Sequence, residues 1–452
     1  MTNPTARDIE ALLRRAEWPA REARRLHPFY RGKIETAIKC RVRDFDDFAI
    51  WYSPGVAAAC REIQADPQRV YELTNRWNTV AVISDGSRVL GLGNIGPEAG
   101  LPVMEGKALL FKYLGGVDAV PLVVGVHDPM AISELVLAVQ PSFGGVNLED
   151  IAQPGCFDVL ETLQQRASIP VWHDDQQGTA TVILAGLINA LKVVGKRLDA
   201  IRIAFIGSGA SNTAAARLAF ASGVDPTGCV VVDSRGILGP HRSDIEATKD
   251  RFRAKWELCQ RTNHERRQGG IAEAVQGMDV VIACSTPGPG TLRPEWLRGM
   301  CEGAIVFACA NPVPEIWPWE AAEAGVAVFA TGRSDFPNQV NNSLCFPGLF
   351  RGVLDVQARA ITDELCLAAA RSLANSVSTP TADHILPTME DWEVFVREAA
   401  DVGTEAVRRG LARRTASYDE LYEQARRMIR RARDMTAAAM REGWIPDPGP
   451  GE

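Results

Sequence analysis

From residue 178 onward short apolar runs alternate with helical stretches, and this alternation constrains the fold more than any other feature. Gly178 to Val194 reads as a long apolar helix. Ile201–Ile206, Cys229–Val232, Val280–Cys284, Ile305–Ala308 and Val326–Ala330 read as strands, several with helical segments between them. Strands joined through helices pair in parallel, which predicts an α/β fold with a Rossmann-like, doubly wound sheet. The first strand runs into a glycine turn and a helix, Ile201-Arg-Ile-Ala-Phe-Ile-Gly207-Ser208-Gly209-Ala210-Ser211-Asn212. Gly207 permits a tight turn, and Gly209 lets the backbone approach a pyrophosphate at the helix N-terminus. Asp233 ends the next strand, 24 residues after Gly209, where a carboxylate can hold a ribose 2′-hydroxyl.

The order strand, glycine turn, helix, strand and acid points to dinucleotide binding. NAD and NADP both stay open: Asp233 repels a 2′-phosphate, whereas Arg235 can pair with one. Asn212 stands at the third glycine position and is expected to loosen the packing of helix on strand.

Two acidic pairs lie upstream, Glu149-Asp150 after one apolar run and Asp174-Asp175 after the next, with a helix-like segment between. A single Asp-Asp is most often a helix start on a solvated loop. Two pairs at the ends of neighbouring strands are different. Converging carboxylates repel unless a cation sits between them or some are protonated, and hard oxygens suit Mg²⁺ or Mn²⁺.

Between about 30 and 175 strands and helices are mixed. Val80–Ile83 and Ala119–Val126 read as buried strands, Gly106–Leu114 as a helix, and Gly91-Leu-Gly-Asn-Ile-Gly96 as a turn. Lys107 sits on the apolar helix, where burial and a nearby cation are expected to lower its pKa and fit it as a base. Read alone, a lysine is usually a solvated charge. Tyr52, in Ile50-Trp-Tyr52-Ser-Pro-Gly-Val, is equally a proton donor or a buried structural tyrosine.

At 452 residues the chain exceeds what one core organises. Three parts are expected: 1–177 for substrate and metal, with a helical extension over 1–28; 178–375 for the dinucleotide; and 376–452, helical with a tail. Met1 to Leu26 reads as an amphipathic helix pair and lacks the apolar core of a signal peptide. Ile445 to Glu452, with three prolines and two glycines, reads as a loose tail. A net charge of −7 argues against a nucleic-acid surface, and no uninterrupted apolar run reaches membrane-spanning length. Ten scattered cysteines without a Cys-x-x-Cys pair fit a reducing cytoplasm rather than a disulfide scaffold or zinc site.

Further segments are Tyr30-Arg-Gly-Lys-Ile-Glu, Arg43 to Val56, Ser84-Asp-Gly-Ser-Arg-Val-Leu-Gly-Leu-Gly-Asn-Ile-Gly-Pro-Glu98 and Met104-Glu-Gly-Lys107. Asn147-Leu-Glu-Asp150, His173-Asp-Asp-Gln176, Ala310-Asn-Pro-Val-Pro-Glu315 and Arg333 to Asn342 complete the set. Together they resemble short bacterial malic enzymes, from about Tyr30 to about Leu373. The resemblance implies oxidation of malate at C2, loss of CO₂ and protonation of enolpyruvate. It further implies Lys107 as general base, Tyr52 as general acid, Asp174 as the group that tunes the lysine, and Glu149, Asp150 and Asp175 as metal ligands. Arg88 would grip a substrate carboxylate, Asn342, with Asn311 and Asn341 nearby, would contact substrate and nicotinamide, and Thr179, Gly207, Ser208, Gly209, Ala210, Ser211, Asp233, Ser234 and Arg235 would surround the cofactor. A homodimer or larger homo-oligomer is implied as well.

Departures from the family pattern are Asn212, Gln177 where many relatives place histidine, and Val123-Val-Gly-Val-His127-Asp-Pro-Met, which lacks the expected acidic and hydroxyl residues. They leave room for another 2-hydroxy diacid. A malolactic reaction that recycles NAD and releases lactate, and a non-catalytic cofactor-binding homologue, remain as alternatives.

Overall fold

The computed structural model describes residues 6–450, with side chains from residue 17 onward. Two separate sheets form its centre. The first holds β1 (Thr79–Ser84), β2 (Asp118–Val123), β3 (Gly145–Leu148) and β4 (Val171–His173), in the order β2-β1-β3-β4. The second holds β5 (Ile203–Ile206), β6 (Val230–Asp233), β7 (Gly236–Ile237), β8 (Val280–Ala283), β9 (Ile305–Ala308) and β10 (Val328–Thr331), in the order β10-β9-β8-β5-β6-β7. All pairs are parallel except β6 with β7, which turns back antiparallel at the sheet edge. The central strands β5, β8 and β9 are wholly buried runs of Ile, Val, Phe and Ala, because helices cover both faces of a parallel sheet.

The apolar Thr179–Val194 helix is the pivot of the molecule. It packs on the Ala210–Ala221 helix of the dinucleotide fold and on the Asp363–Asn375 helix. By length and composition the stretch Asp174–Val194 is apolar enough to cross a bilayer, yet 72% of its most apolar window is buried inside the protein. The C-terminal helices do not form a separate unit. Glu393–Arg408 and Tyr418–Arg441 pack against the Pro97–Gly115 helix, with Phe395, Val396, Ala425 and Ile429 meeting Leu114. A capping box starts the last helix: Ser417 Oγ accepts from Glu420 N at 3.3 Å, and Glu420 accepts from Ser417 N at 2.8 Å.

Three local expectations are corrected. The buried strand expected over Ala119–Val126 is β2, shorter and only half-buried, because it forms the open edge of its sheet. The N-terminal helix pair is one helix, Ala6–Tyr30, which continues through Pro19; the first five residues lie outside the described part. The tail is tied down rather than loose. Tyr30 Oη donates to Pro446 O at 2.9 Å and Arg25 Nη1 to Pro448 O at 3.0 Å, so the C-terminal part of the Ala6–Tyr30 helix holds the Pro446–Pro448 segment.

Candidate active site

Parallel strands deliver their C-terminal ends to one side of a sheet, and that edge is where ligands bind in open α/β folds. In the first sheet Leu148 of β3 stands beside His173 of β4, so Glu149-Asp150 and Asp174-Asp175 leave adjacent strands together. One oxygen each from Glu149, Asp150 and Asp175 lies within 4.8 Å of the others. Glu149 and Asp150 are buried and Asp175 is partly so. Asp150 holds a positive φ of 54°, a conformation that Asp tolerates better than most residues. Its N–H donates to Asp175 Oδ2 at 2.9 Å, which pins the two acids to each other.

An aromatic floor carries this cluster. Phe111 packs against Phe346 and Phe350 at centroid distances of 4.6 and 5.1 Å, and Trp172 meets Phe350 edge-on. Burial of each such ring stabilises the fold by about 1.5–3 kcal/mol. The floor also positions polar groups. Trp172 Nε1 donates to Asp174 Oδ1 at 2.9 Å, and Lys107 Nζ lies 4.4 Å from the Phe346 ring centre. Lys107 contacts Asp174 directly and stands 3.0 Å from Glu149 Oε1.

The electrostatics correct one expectation. Burial lowers the Lys107 pKa, but Asp174, Glu149 and Asp175 outweigh it and raise the value above that of a free lysine. A lowered pKa was expected from desolvation plus a cation, and the carboxylates alone act the other way. The same burial pushes Asp150 up to about 8 and raises Glu149 and Asp175, with repulsion from neighbouring carboxylates adding to the rise at Asp150 and Glu149. Asp150 Oδ2 is buried without a hydrogen-bond partner. Three hard oxygens short of positive charge, one of them unpartnered, fit a divalent cation such as Mg²⁺ or Mn²⁺.

The second sheet supplies the nucleotide edge. Gly207, at φ +99°, admits no side chain, since a Cβ there would stand 2.6 Å from Cys284 O. Around Gly209, by contrast, a Cβ would meet nothing within 4 Å, so the turn Ser208-Gly209-Ala210-Ser211 is open at its glycine. Asn212 corrects the expected loosening. It is fully buried, and its Nδ2 donates to Ile206 O, Gly207 O and Ile282 O at 2.8, 3.0 and 3.2 Å, tying helix to two strands.

The remaining expected residues fall in different places. Asn342 borders the cluster: a Cβ at Gly178 would come 3.1 Å from Asn342 Cβ and 2.2 Å from Asp174 Oδ1. Asn341 caps the Asn342–Leu344 turn by accepting from Ser343 N at 2.9 Å. Asn311 is exposed, and its loop packs beneath Gly91, where a Cβ would meet Asn311 O at 2.7 Å; the glycine turn of the first half thereby touches the second half. Arg88 is exposed, with Nη1 on Leu90 O at 2.6 Å and its N–H on Asp150 O at 3.0 Å. Thr179 opens the pivot helix beside the acids. Gln177 is buried scaffolding that accepts from His173 N at 3.0 Å, and His127 pairs with Asp85 at 2.9 Å. Tyr52 is not brought to the cluster. It is 78% exposed, and its backbone N–H donates to Phe48 O at 2.9 Å.

Sequence reasoning missed Glu315. Fully buried, it accepts from Ser285 N at 2.8 Å, Ser285 Oγ at 3.1 Å and Ala310 N at 3.0 Å, clamping the loops that follow β8 and β9. Burial pushes its pKa up to about 7. Its place in Ala310-Asn-Pro-Val-Pro-Glu315 was the available signal. Arg242 and Lys255, both bonded to Asp233, were missed as well.

Two family models match the chain: the malic enzyme N-terminal domain over residues 31–164 and the malic enzyme NAD binding domain over 176–407. The bifunctional malic/malolactic enzyme of Bacillus subtilis is 45% identical over 409 residues, which is 90% of this chain and 98% of the relative. The NAD-dependent malic enzyme of Geobacillus stearothermophilus is 46% identical over 386 residues, 85% of this chain and 78% of the relative. The crystal structure of Entamoeba histolytica malic enzyme superimposes with a TM-score of 0.94 at 45% identity, covering 99% of this chain and 93% of that one.

Proposed function

The chain belongs to the malic enzyme family, and we propose on that premise that it converts (S)-malate to pyruvate and CO₂ while reducing NAD or NADP. The observation that carries the reading is the meeting of Glu149, Asp150 and Asp175 within 4.8 Å, with Lys107 at 3.0 Å from Glu149. When bound, the cation polarises the C2 oxygen and the nicotinamide accepts the hydride. Glu149, Asp150 and Asp175 hold that cation. Lys107 removes the C2 hydroxyl proton, oriented by Asp174. Arg88 grips a malate carboxylate, and Asn342, with Asn311 and Asn341, fixes substrate and nicotinamide. Residues 1–177 then serve substrate and metal and 178–375 the cofactor, while 376–452 brace the substrate half.

Tyr52 protonates the enol carbon, and its exposure supports an assembled site. Phe45, Ile38 and Tyr52 are 85%, 79% and 78% exposed, and Phe48, Ile50 and Trp51 are at least half exposed. So much apolar surface on one segment marks an interface. A second copy of this chain covers it and receives Tyr52 beside its own Lys107. The ten free thiols support a reducing, cytoplasmic setting.

The test is NAD(P)H absorbance with malate, with and without Mn²⁺, alongside separate measurement of pyruvate and lactate. Metal-dependent NAD(P)H with equimolar pyruvate is expected. Lactate without net NAD(P)H would replace the reading with the malolactic one, and no turnover across 2-hydroxy diacids with retained nucleotide binding would leave a binding protein.

A further inference from the structure

We infer that the dinucleotide site is built for a 2′-phosphorylated adenosine, so that NADP and not NAD is its cofactor; the inference rests on the dinucleotide reading above. In a site for NAD, a carboxylate at the end of the second strand stands free to accept from the ribose hydroxyls and to repel a 2′-phosphate. Asp233 occupies that position but is not free. Its Oδ1 accepts from Arg242 Nη1 and from Arg235 N, both at 2.9 Å. Its Oδ2 accepts from Arg242 Nη2 and from Lys255 Nζ, both at 3.0 Å. Its side chain is 8% exposed. Four donors occupy one buried carboxylate, which therefore anchors cations instead of facing a ligand.

Asp244 completes the arrangement. It takes Arg242 from the other side at 2.8 and 2.9 Å and Arg235 Nη1 at 3.2 Å. Three cations thus stand against two carboxylates, and the surplus charge is positive. Lys255 spends one N–H on Asp233 and keeps others to donate. Arg235 has a single side-chain bond and is 73% exposed.

A cavity of about 340 Å³ brings Lys255, one of these cations, to the same wall as the glycine turn. Its lining includes Ser208 of that turn together with Lys255 and Arg251. The acids on the same wall are already paired: Asp158 and Glu161 with Arg253, and Glu257 with Arg261. Arg251 has no carboxylate partner among the described residues; its guanidinium lies 5.2 Å from the Phe252 ring centre. One cavity therefore holds both the glycine turn and positive charge with donors to spare, which is the chemistry a phosphate monoester needs.

The experiment is calorimetric titration of the full chain, without malate or metal, by adenosine 2′,5′-bisphosphate and by AMP. The bisphosphate is expected to bind about tenfold tighter or more, since its extra 2′-phosphate makes charge-assisted bonds. Lys255→Ala and Arg235→Ala should each remove most of that advantage and leave AMP affinity within about twofold, with unchanged thermal melts showing intact folding. Equal or tighter binding of AMP by the wild type overturns the preference while leaving the dinucleotide site standing. An advantage that survives both substitutions also overturns it. Failure of both probes to bind instead removes the dinucleotide reading, and this inference with it.

Discussion

Lys107 Nζ stands 3.0 Å from Glu149 Oε1, so the base of the proposed reaction and one of its metal ligands share a single charge network. A cation entering between Glu149, Asp150 and Asp175 competes for the very carboxylate that holds the ammonium. Metal binding and release of the lysine proton are thereby linked.

Lys107→Ala should lower kcat by roughly 10²–10⁴, the usual contribution of a general base. Calorimetric binding of nucleotide should stay as in the wild type. Loss of nucleotide binding would mean that the lysine is structural.

The acid cluster should prefer to be filled. Saturating Mn²⁺, at about 100 times its dissociation constant, should stabilise the fold by roughly 2.7 kcal/mol. Asp175→Asn should abolish the rise in melting temperature caused by Mn²⁺. A variant that keeps the full rise would place the ion elsewhere.

Tyr52→Phe should fold normally, since the ring is exposed, and should lose about 10²-fold in kcat. Mixing it with Lys107→Ala by co-expression tests the shared site. Random pairing of the two chains in a C2 dimer should restore roughly a quarter of wild-type activity, because half the dimers then carry one intact site. Activity no greater than that of the separate variants would put both residues in one chain's site.

Asn212→Ala removes the donor to three carbonyls and should destabilise the chain by about 1–3 kcal/mol in urea unfolding. An unchanged midpoint would show that the amide contributes nothing.

Glu315 gives a pH signature. Its folded pKa, raised by burial to about 7, exceeds the ordinary carboxylate value of 4.5, so between these values the native state binds more protons than the unfolded chain. Its contribution is full below pH 4.5 and is lost as pH rises through 7, roughly 3 kcal/mol in all. The stability difference between wild type and Glu315→Gln should shift by that order between pH 5 and 8. Other buried acids cancel in the difference, so parallel curves would rule out a raised Glu315.

The acid pairs were legible in the sequence because neighbouring parallel strands end side by side, and an apolar run followed by acids marks each end. The glycine turn between strand and helix was legible for the same local reason. The partners of Asp233 were not: Arg242 and Lys255 follow it by 9 and 22 residues and return only through the folded turn after β7. Nor did the apolar faces of the last two helices reveal that they cover the Pro97–Gly115 helix. A hydrophobic stripe says that a surface is covered without saying by what. The carboxylates that raise the Lys107 pKa in the metal-free chain were not legible, because proximity to three acids is a property of the fold.

One further consequence attaches to Asp174–Gly178, which winds as a single π turn before the pivot helix begins. Such a turn holds one more residue than α geometry would. Deleting Gln176 would let the segment relax to a regular helix and swing the preceding acids by about 100° about the axis. Substitutions in these five positions change chemistry one group at a time, whereas a change of length dismantles the whole constellation at once. The number of residues in this turn is therefore as tightly constrained as the identity of its two acids.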